Sequence, residues 1–166
     1  GIRAVRVDEI AQRLGISKRT LYEMFADKND LISACLDDLA RRQRQRIAAS
    51  RRRRSGNPLQ RTLRLANDYI DSLYTVDHSF LADIRRKVLF AEQYDEHREF
   101  WRKELSLNLE ECRGGGLLLS EIDTAALAEQ LMSTLFELRL NRTTREELYL
   151  LCRTILRGAA TQQGID

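Results

Sequence analysis

Residues 7–31 read VDEIAQRLGISKRTLYEMFADKNDL, and this stretch decides the fold of the N-terminal part of the chain. Gly15 is expected to end a first short helix in the left-handed conformation, with Ile16 filling the turn that follows. Ser17 is a natural N-cap for a second helix. Apolar residues recur before Gly15 at positions i, i+3, i+4 and i+7, which predicts one apolar helix face made of Val7, Ile10, Ala11 and Leu14.

The second helix is predicted to have one apolar and one polar face. Leu21, Met24 and Phe25 share the apolar face, and polar residues occupy the other. Two short helices joined by a tight turn containing Gly form a helix-turn-helix, whose second helix can enter the major groove of DNA.

The segment IAQRLGISKRTLYEMF, followed by ADKNDL, resembles the DNA-binding signature of the TetR family of bacterial transcriptional regulators. The resemblance covers about residues 1–36, and the rest of the chain agrees in being helical and of suitable length. It implies an all-α protein with a helix-turn-helix DNA-binding domain, residues 1–36, and a helical regulatory and dimerisation domain, residues 37–166. Arg19 and Arg6 depart from the residues that are frequent in the family, so the DNA sequence it reads cannot be transferred.

Several polar residues of the motif are candidates for contacting DNA. Lys18 and Arg19 suit base edges or phosphates, and Glu23 can accept a hydrogen bond from a cytosine amino group. The resemblance implies phosphate contacts for Thr20 and Tyr22, and a half-buried Tyr22 ring between helices is compatible with that role. We expect seven residues to contact DNA: Ser17, Lys18, Arg19, Thr20, Tyr22, Glu23 and Lys28.

Lys28 opens the predicted third helix, where a cation is unfavourable for the helix dipole. A DNA phosphate is therefore its expected partner. The alternative is an exposed lysine between Asp27 and Asp30.

Charge is distributed unevenly along the chain. Residues 1–60 contain 14 Lys and Arg against 7 Asp and Glu, whereas residues 61–166 contain 14 against 18. The basic end coincides with the helix-turn-helix, as expected of a protein that neutralises phosphates at one end. A solvated basic surface is the alternative, and we favour it for Arg51–Arg54, which lies roughly 35 Å of helix beyond the recognition helix.

The remainder of the chain is predicted to be helical, because Pro58 is the single proline and strand-like alternation is absent. A long helix from Lys28 to about Ser50 leads to a body of about five helices. The first is expected to begin at Asn57–Pro58, and the second to follow Thr75–His78 and reach near Tyr94. The third holds Phe100–Cys112 and ends at Gly114–Gly116. The fourth is capped by Asp123, and the last runs from the capping box of Thr143 and Glu146 to Gly158.

Several classes of protein and site are disfavoured. Cys35, Cys112 and Cys152 are widely spaced, which indicates reduced thiols in a cytoplasm rather than disulfides or a zinc site. No apolar run approaches the length of a membrane span, and no Glu-x-x-His pair or phosphate loop suggests a metal, a cofactor or an enzyme. Because such a helix pair normally packs under a preceding helix, we expect one before Gly1, packed on Ile2 and Val5.

Aromatic and soft residues of the body are candidates for lining a small-molecule pocket, although most such residues fill a core. The candidates are Tyr69, Phe80, Phe90, Tyr94, Trp101, Met132 and Phe136. His78 and His97 are expected to face solvent. The resemblance also implies a homodimer in which the last two long helices pair with their copies.

The sequence therefore predicts a DNA-binding transcriptional regulator, with a repressor released from a palindromic operator by an apolar or aromatic effector as the main hypothesis. A DNA-binding protein without an effector and a helical-bundle enzyme or scaffold are the alternatives.

Overall fold

The computed structural model describes residues 7–25, 27–53 and 55–166. Within these ranges the chain is all-α, as the sequence predicts, and one isolated bridge between Leu118 and Ala160 is its only β-type pairing. None of the described helices is both long and apolar enough to cross a membrane. The helices are α1 (Val7–Leu14), α2 (Lys18–Met24), α3 (Lys28–Arg53), α4 (Pro58–Leu73), α5 (His78–Arg86), a 3-10 turn (Val88–Phe90), α6 (Ala91–Gly114), α7 (Thr124–Leu140), α8 (Arg145–Ala159) and α9 (Gln162–Ile165).

The turn between α1 and α2 has the predicted geometry. Gly15 has a φ of 68°, and its N–H donates to the carbonyl of Gln12 at 3.2 Å. The N–H of Ile16 donates to the carbonyl of Ala11 at 3.0 Å, which completes a Schellman-type helix end. Ser17 then caps α2 by accepting a hydrogen bond from the N–H of Thr20 at 3.0 Å.

The head has a small core of its own. Ala11, Leu21 and Leu31 are buried together, so α1, α2 and the start of α3 form one unit. Partly buried side chains surround them, namely Ile10, Ile16, Phe25 and Cys35. The predicted apolar faces are wrong at two positions, because Leu14 and Met24 are exposed and no helix in the described part of the chain packs over them. The expected contacts of Ile2 and Val5 lie outside the described residues.

Helix α3 links the head to the body. Asp27 caps it by accepting a hydrogen bond from the N–H of Asp30 at 2.9 Å. Leu31 packs in the head core, Ile32 in a cluster with α5, and Ile47 in the main core of the body. The expected boundary between residues 36 and 37 therefore falls inside one continuous helix, and a displacement of α3 would move the head.

The body is a helical bundle centred on α4 and α6. Buried residues from α4, α6, α7 and α8 form one core, whose fully buried members include Ile70, Leu105, Met132, Leu135 and Leu148. The cap of α4 is stronger than the sequence suggested, because Asn57 and Gln60 exchange side-chain and backbone hydrogen bonds at 2.9 and 3.1 Å.

The prediction of one helix from about residue 79 to near Tyr94 is wrong. Helix α5 ends at Arg86, the N–H of the next residue, Lys87, still donates to the carbonyl of Asp83, and the 3-10 turn separates α5 from α6. Three consecutive apolar residues cannot all lie on one helix face. Phe90 is buried, whereas Val88 is 89% exposed, and Tyr94 belongs to α6 instead.

The last two helices, α8 and α9, also differ from the prediction. The capping box of α8 is formed by Thr144 and Glu147, one residue after the predicted pair, with hydrogen bonds of 3.0 and 3.3 Å. The short helix α9 was not predicted. Thr161 caps it and also donates its N–H to the carbonyl of Leu117 at 3.0 Å, so the chain end packs on the α6–α7 connection.

Candidate DNA-binding surface and ligand cavity

Helix α2 presents a polar surface on the side opposite its buried Leu21. Ser17, Lys18, Arg19, Thr20, Tyr22 and Glu23 are all exposed. This division follows from the local sequence, since Leu21 is the residue of α2 that reaches the head core and its polar neighbours must then point outward. Six of the seven candidate DNA-contacting residues therefore lie on one exposed segment.

The Arg19 side chain forms an ion pair with a residue of its own helix. Its Nε lies 3.2 Å from Oε1 of Glu23 one turn later, and the Arg19 side chain is 89% exposed. An exposed pair of this kind contributes little to stability. The guanidinium can therefore exchange Glu23 for a base edge or a phosphate at small cost.

Lys28 is the first residue of α3, and its side chain is partly buried. It lies five residues after the exposed segment 17–23, at a helix N-terminus, and such helix ends attract anions. The carboxylate of Asp27 already occupies this N-terminus by accepting from the N–H of Asp30.

The body contains an apolar cavity of about 100 Å³ between α3 and helices α4 to α7. Leu36, Leu39, Ala40 and Gln43 come from α3, which makes the linking helix one wall of the cavity. The other lining residues are Tyr69, Ser72, Leu73, Thr75, Val76, Phe80, Leu81, Ile84, Gln93, Tyr94, His97, Arg98, Trp101 and Phe136.

Five of the seven aromatic and soft residues singled out in the sequence line this cavity: Tyr69, Phe80, Tyr94, Trp101 and Phe136. The other two are buried elsewhere. Phe90 packs with Ile32 and Ile84, and Met132 lies in the main core. The polar residues of the cavity wall, above all Gln43, were not predicted from the sequence, because a polar residue in a basic helix is normally expected to face solvent.

The prediction that the two histidines face solvent is wrong. His78 is partly buried, and its Nε2 lies within hydrogen-bond distance of the carbonyl of Leu140. His97 lies largely inside the body, with its Nε2 3.3 Å from Nε1 of Trp101. Burial, together with the charge of Arg44, lowers the pKa of His97 to about 4, so the ring is neutral at pH 7.

Trp101 connects this region to α3. Its Nε1–H points at Oε1 of Gln43, 3.1 Å away, as well as at His97. The indole packs edge-on against Tyr69 and Phe100, at centroid distances of 5.5 and 6.3 Å. A change in the position of Trp101 would therefore reach α3 through Gln43.

Arg98 is the charged residue of the cavity wall, and it is already paired. Its two terminal nitrogens donate to the carboxylate of Glu129 at 2.8 and 2.6 Å, and one also donates to Ser133 at 3.0 Å. The hydrogen bonds from Arg98 lower the pKa of Glu129, so the pair stays ionised. Burial raises the pKa of Tyr69 and of Tyr94 nearby, and both phenols are neutral at pH 7.

Further hydrogen bonds hold α3 against α6. Gln93 donates to the carbonyl of Ser33 at 3.0 Å and to the carboxylate of Asp37 at 2.9 Å. Arg51, expected to be solvated, pairs with the largely buried Glu104. Because these contacts lie on both sides of the Gln43 contact, α3 is held against α6 along much of its length.

Similarity to known proteins is clearest in the head. A family model for bacterial regulatory proteins of the tetR family matches residues 1–35. No curated protein sequence matches the chain. Among the residues that the structure describes, no group of three or more His, Cys, Asp or Glu is placed to hold a metal ion.

The whole fold is shared with solved structures of regulators. A protein assigned to the TetR family from Rhodococcus sp. is 17% identical, with a TM-score of 0.72 over 97% of this chain and 90% of the other. A transcriptional regulator from Saccharomonospora viridis in complex with choline has 16% identity and a TM-score of 0.78 over 96% and 88%. The ketosteroid regulator KstR2 of Mycobacterium tuberculosis has 20% identity and a TM-score of 0.60 over 98% and 87%.

Proposed function

We propose that this chain, which carries the head and the fold of the TetR family of bacterial regulators, represses transcription from a palindromic operator as a homodimer. In this proposal a small molecule in the body cavity releases it from DNA. The observation that carries the first part is the exposed polar surface of α2 on a folded helix-turn-helix. Each subunit would place residues 17–23 in a major groove, with half-sites about one helical turn or a small multiple apart.

The position of α3 supports release by a ligand. This helix contributes to the head core through Leu31 and to the cavity wall through Leu36, Leu39 and Gln43. A ligand that binds better when α3 is displaced lowers the affinity for DNA by the ratio of its affinities for the two states. A DNA-binding protein without an effector would have the same head but no need for a cavity beside α3.

The dimer is proposed through α7 and α8. Leu150 on α8 is exposed although it is large and apolar, which suits a residue covered by a partner subunit. Sedimentation of the protein is expected to give a dimer. Leu150→Glu should shift it toward monomer and weaken operator binding, whereas a monomeric wild-type protein would contradict this part of the proposal.

Arg19→Ala tests sequence reading. It is expected to cost about 1 to 3 kcal/mol on the cognate site and to relax the preference for the base pair concerned, because a bidentate contact to guanine is lost. Fluorescence anisotropy with cognate and single-substituted duplexes measures both effects.

The matched control for that variant is Arg113→Ala, since Arg113 also forms an exposed local pair, with Glu110, but lies at the end of α6. It should bind every duplex as the wild type does. An equal loss on all duplexes for Arg19→Ala would assign that residue to phosphate alone.

Lys28→Ala tests the phosphate contact. It should weaken binding about equally on all duplexes and reduce the slope of log K against log salt by about one unit. Lys87→Ala, a change at the end of α5 on the body, is the control and should leave the slope unaltered. An unchanged slope in Lys28→Ala would show that this lysine neutralises no phosphate.

A further inference from the structure

The second half of α3 carries a dense set of arginines. Residues 41–54 contain eight Arg and no Lys, Asp or Glu. Arg51 is paired with Glu104, and Arg54 lies outside the described residues. The other six are exposed and form what we call the α3 arginine surface: Arg41, Arg42, Arg44, Arg46, Arg52 and Arg53.

The six arginines form two rows along the helix. The first row is Arg42, Arg46 and Arg53, and the second is Arg41, Arg44 and Arg52. Within each row the spacing is i, i+3 or i+4, and i+11, which returns to the same side of an α-helix. Gln45 and Ala49 lie between the rows and are exposed, whereas Ile47 on the opposite side is buried in the main core. Each row spans roughly 16 Å along the helix.

Neighbouring carboxylates offset only part of this charge. Arg41 and Arg42 share a single carboxylate, that of Asp38. Arg52 and Arg53 form no ion pair with any residue that the structure describes. The surface therefore keeps a net positive charge that an anionic partner can neutralise.

The remaining two arginines are also accessible. Arg44 lies over the ring of Phe100, 5.2 Å from its centroid, and this contact leaves its charge intact. The charge of Arg46 acts on the partly buried Asp68, but Arg46 itself is exposed. Both rows can therefore present guanidinium groups to a partner.

The dimensions of the surface fit the major groove of duplex DNA. An α-helix with its side chains is about 10 to 12 Å across, and the groove is about 12 Å wide. One row can then face the phosphates of each bordering strand, which carry one charge per roughly 3.4 Å of helix axis. Arginine suits this role because its planar fork binds a phosphate through two hydrogen bonds.

This surface is separate from the recognition helix. Leu31, near the start of α3, lies in the head core, and roughly 30 Å of helix separates it from Arg52. The sequence alone favours a solvated surface at Arg51–Arg54, because a run of basic residues does not show which side of the helix the body covers.

We propose that the α3 arginine surface binds a second DNA duplex along its major groove, mainly through phosphates, so that the protein joins two segments of DNA. The proposal does not depend on operator recognition by the head. It gives the long linking helix a role in binding DNA at the end remote from α2.

Energy transfer between two DNA molecules tests the proposal on the whole protein. One random-sequence duplex carries a donor dye and a second carries an acceptor dye, and the wild-type protein should bring them together in a salt-sensitive way. The double variant Arg52→Ala, Arg53→Ala removes one arginine from each row. It should need at least about tenfold more protein for the same transfer, and the slope of log K against log salt should fall by about two units.

The matched control is the double variant Arg86→Ala, Lys87→Ala. It also removes two adjacent exposed cations, but at the end of α5, and should transfer energy as the wild type does. Circular dichroism of each variant checks that the helical fold is retained. The variant changed at Arg52 and Arg53 should keep wild-type operator affinity, because residues 17–23 are unaltered.

Duplex RNA separates groove binding from simple attraction between charges. The measurement uses Leu21→Ala, which removes a buried side chain from the head core and so weakens binding through α2. This variant should still bind random duplex DNA through α3. It should bind duplex RNA of the same length at least about tenfold more weakly, since the deep, narrow major groove of RNA does not admit side chains.

Three outcomes would overturn the proposal. No energy transfer with the wild type excludes bridging, and transfer retained in the variant changed at Arg52 and Arg53 assigns it to another surface. Equal binding of duplex RNA and DNA reduces the surface to a general attraction for polyanions. Absence of operator binding contradicts the proposed function instead, and leaves the bridging measurement unaffected.

Discussion

Leu21→Ala is expected to abolish specific DNA binding while the body stays folded. Leu21 is buried in a head core whose other buried members, among the side chains that the structure describes, are Ala11 and Leu31. Removing a buried leucine side chain costs about 2 to 5 kcal/mol. A core this small cannot absorb that loss, so α2 loses its place against α1 and α3. Operator affinity is expected to fall more than 100-fold, since about 2.8 kcal/mol corresponds to that factor.

Hydrogen exchange distinguishes this result from global unfolding. The amides of α1 and α2 should exchange much faster in Leu21→Ala, whereas those of α6 should keep their protection. Met24→Ala is the matched control, because Met24 is on the same helix but 62% exposed. Wild-type operator affinity in Leu21→Ala would refute the assignment of the DNA-binding surface to α2.

Trp101→Ala is expected to lower the free energy of unfolding of the body by about 3 to 5 kcal/mol. The indole is buried at the junction of α3, α4 and α6, where it contacts Tyr69 and Phe100 and donates to Gln43. Its loss joins an indole-sized void to the existing cavity and removes a hydrogen bond between α6 and α3. Urea unfolding followed by circular dichroism measures the change.

Leu107→Ala serves as the control for this variant, since Leu107 lies six residues further along α6 and is 62% exposed. Its unfolding midpoint should stay close to that of the wild type. If the unfolding midpoint of Trp101→Ala equals those of the wild type and of Leu107→Ala, the indole does not contribute to the packing of the core.

The head could be predicted from sequence because its geometry is determined locally. Gly15 ends α1, Ser17 caps α2, and Asp27 caps α3. The hydrogen bonds at these helix ends join residues that are only three to five positions apart in the sequence. Contacts between residues this close in the chain can be predicted from the spacing of residue types in the sequence. The exposure of Leu14 and Met24 was not predictable in this way, since it depends on which other helices cover each face.

The body was harder because its boundaries depend on tertiary packing. Val88, Leu89 and Phe90 look equivalent as a run of apolar residues, yet only Phe90 reaches a core, and the chain turns there to begin α6. The capping box of α8 was displaced by one residue because Thr143 and Thr144 are neighbours and both precede a glutamate by three positions. Sequence spacing alone cannot separate them.

The cavity shows the same limit. Aromatic residues at helical spacing identify buried faces, but not whether a face meets a core or an opening. The sequence therefore does not separate Phe90, which is buried in a core cluster, from Phe80, which belongs to the same cluster and also lines the cavity. The charged sequence neighbours of His97, Glu96 and Arg98, indicate a solvent-facing side chain. In α6 these residues point in different directions, and His97 turns toward Trp101 one helical turn away.

Selection of bound sequences from random DNA duplexes shows whether this protein recognises a specific DNA sequence. The folded protein at moderate salt should enrich a palindromic consensus with half-sites separated by about one helical turn or a small multiple. Arg19→Ala should lose the preference at one position of each half-site. If folded, dimeric protein enriches no sequence even at low salt, the chain is not a sequence-specific regulator, and a helical-bundle enzyme or scaffold is favoured instead.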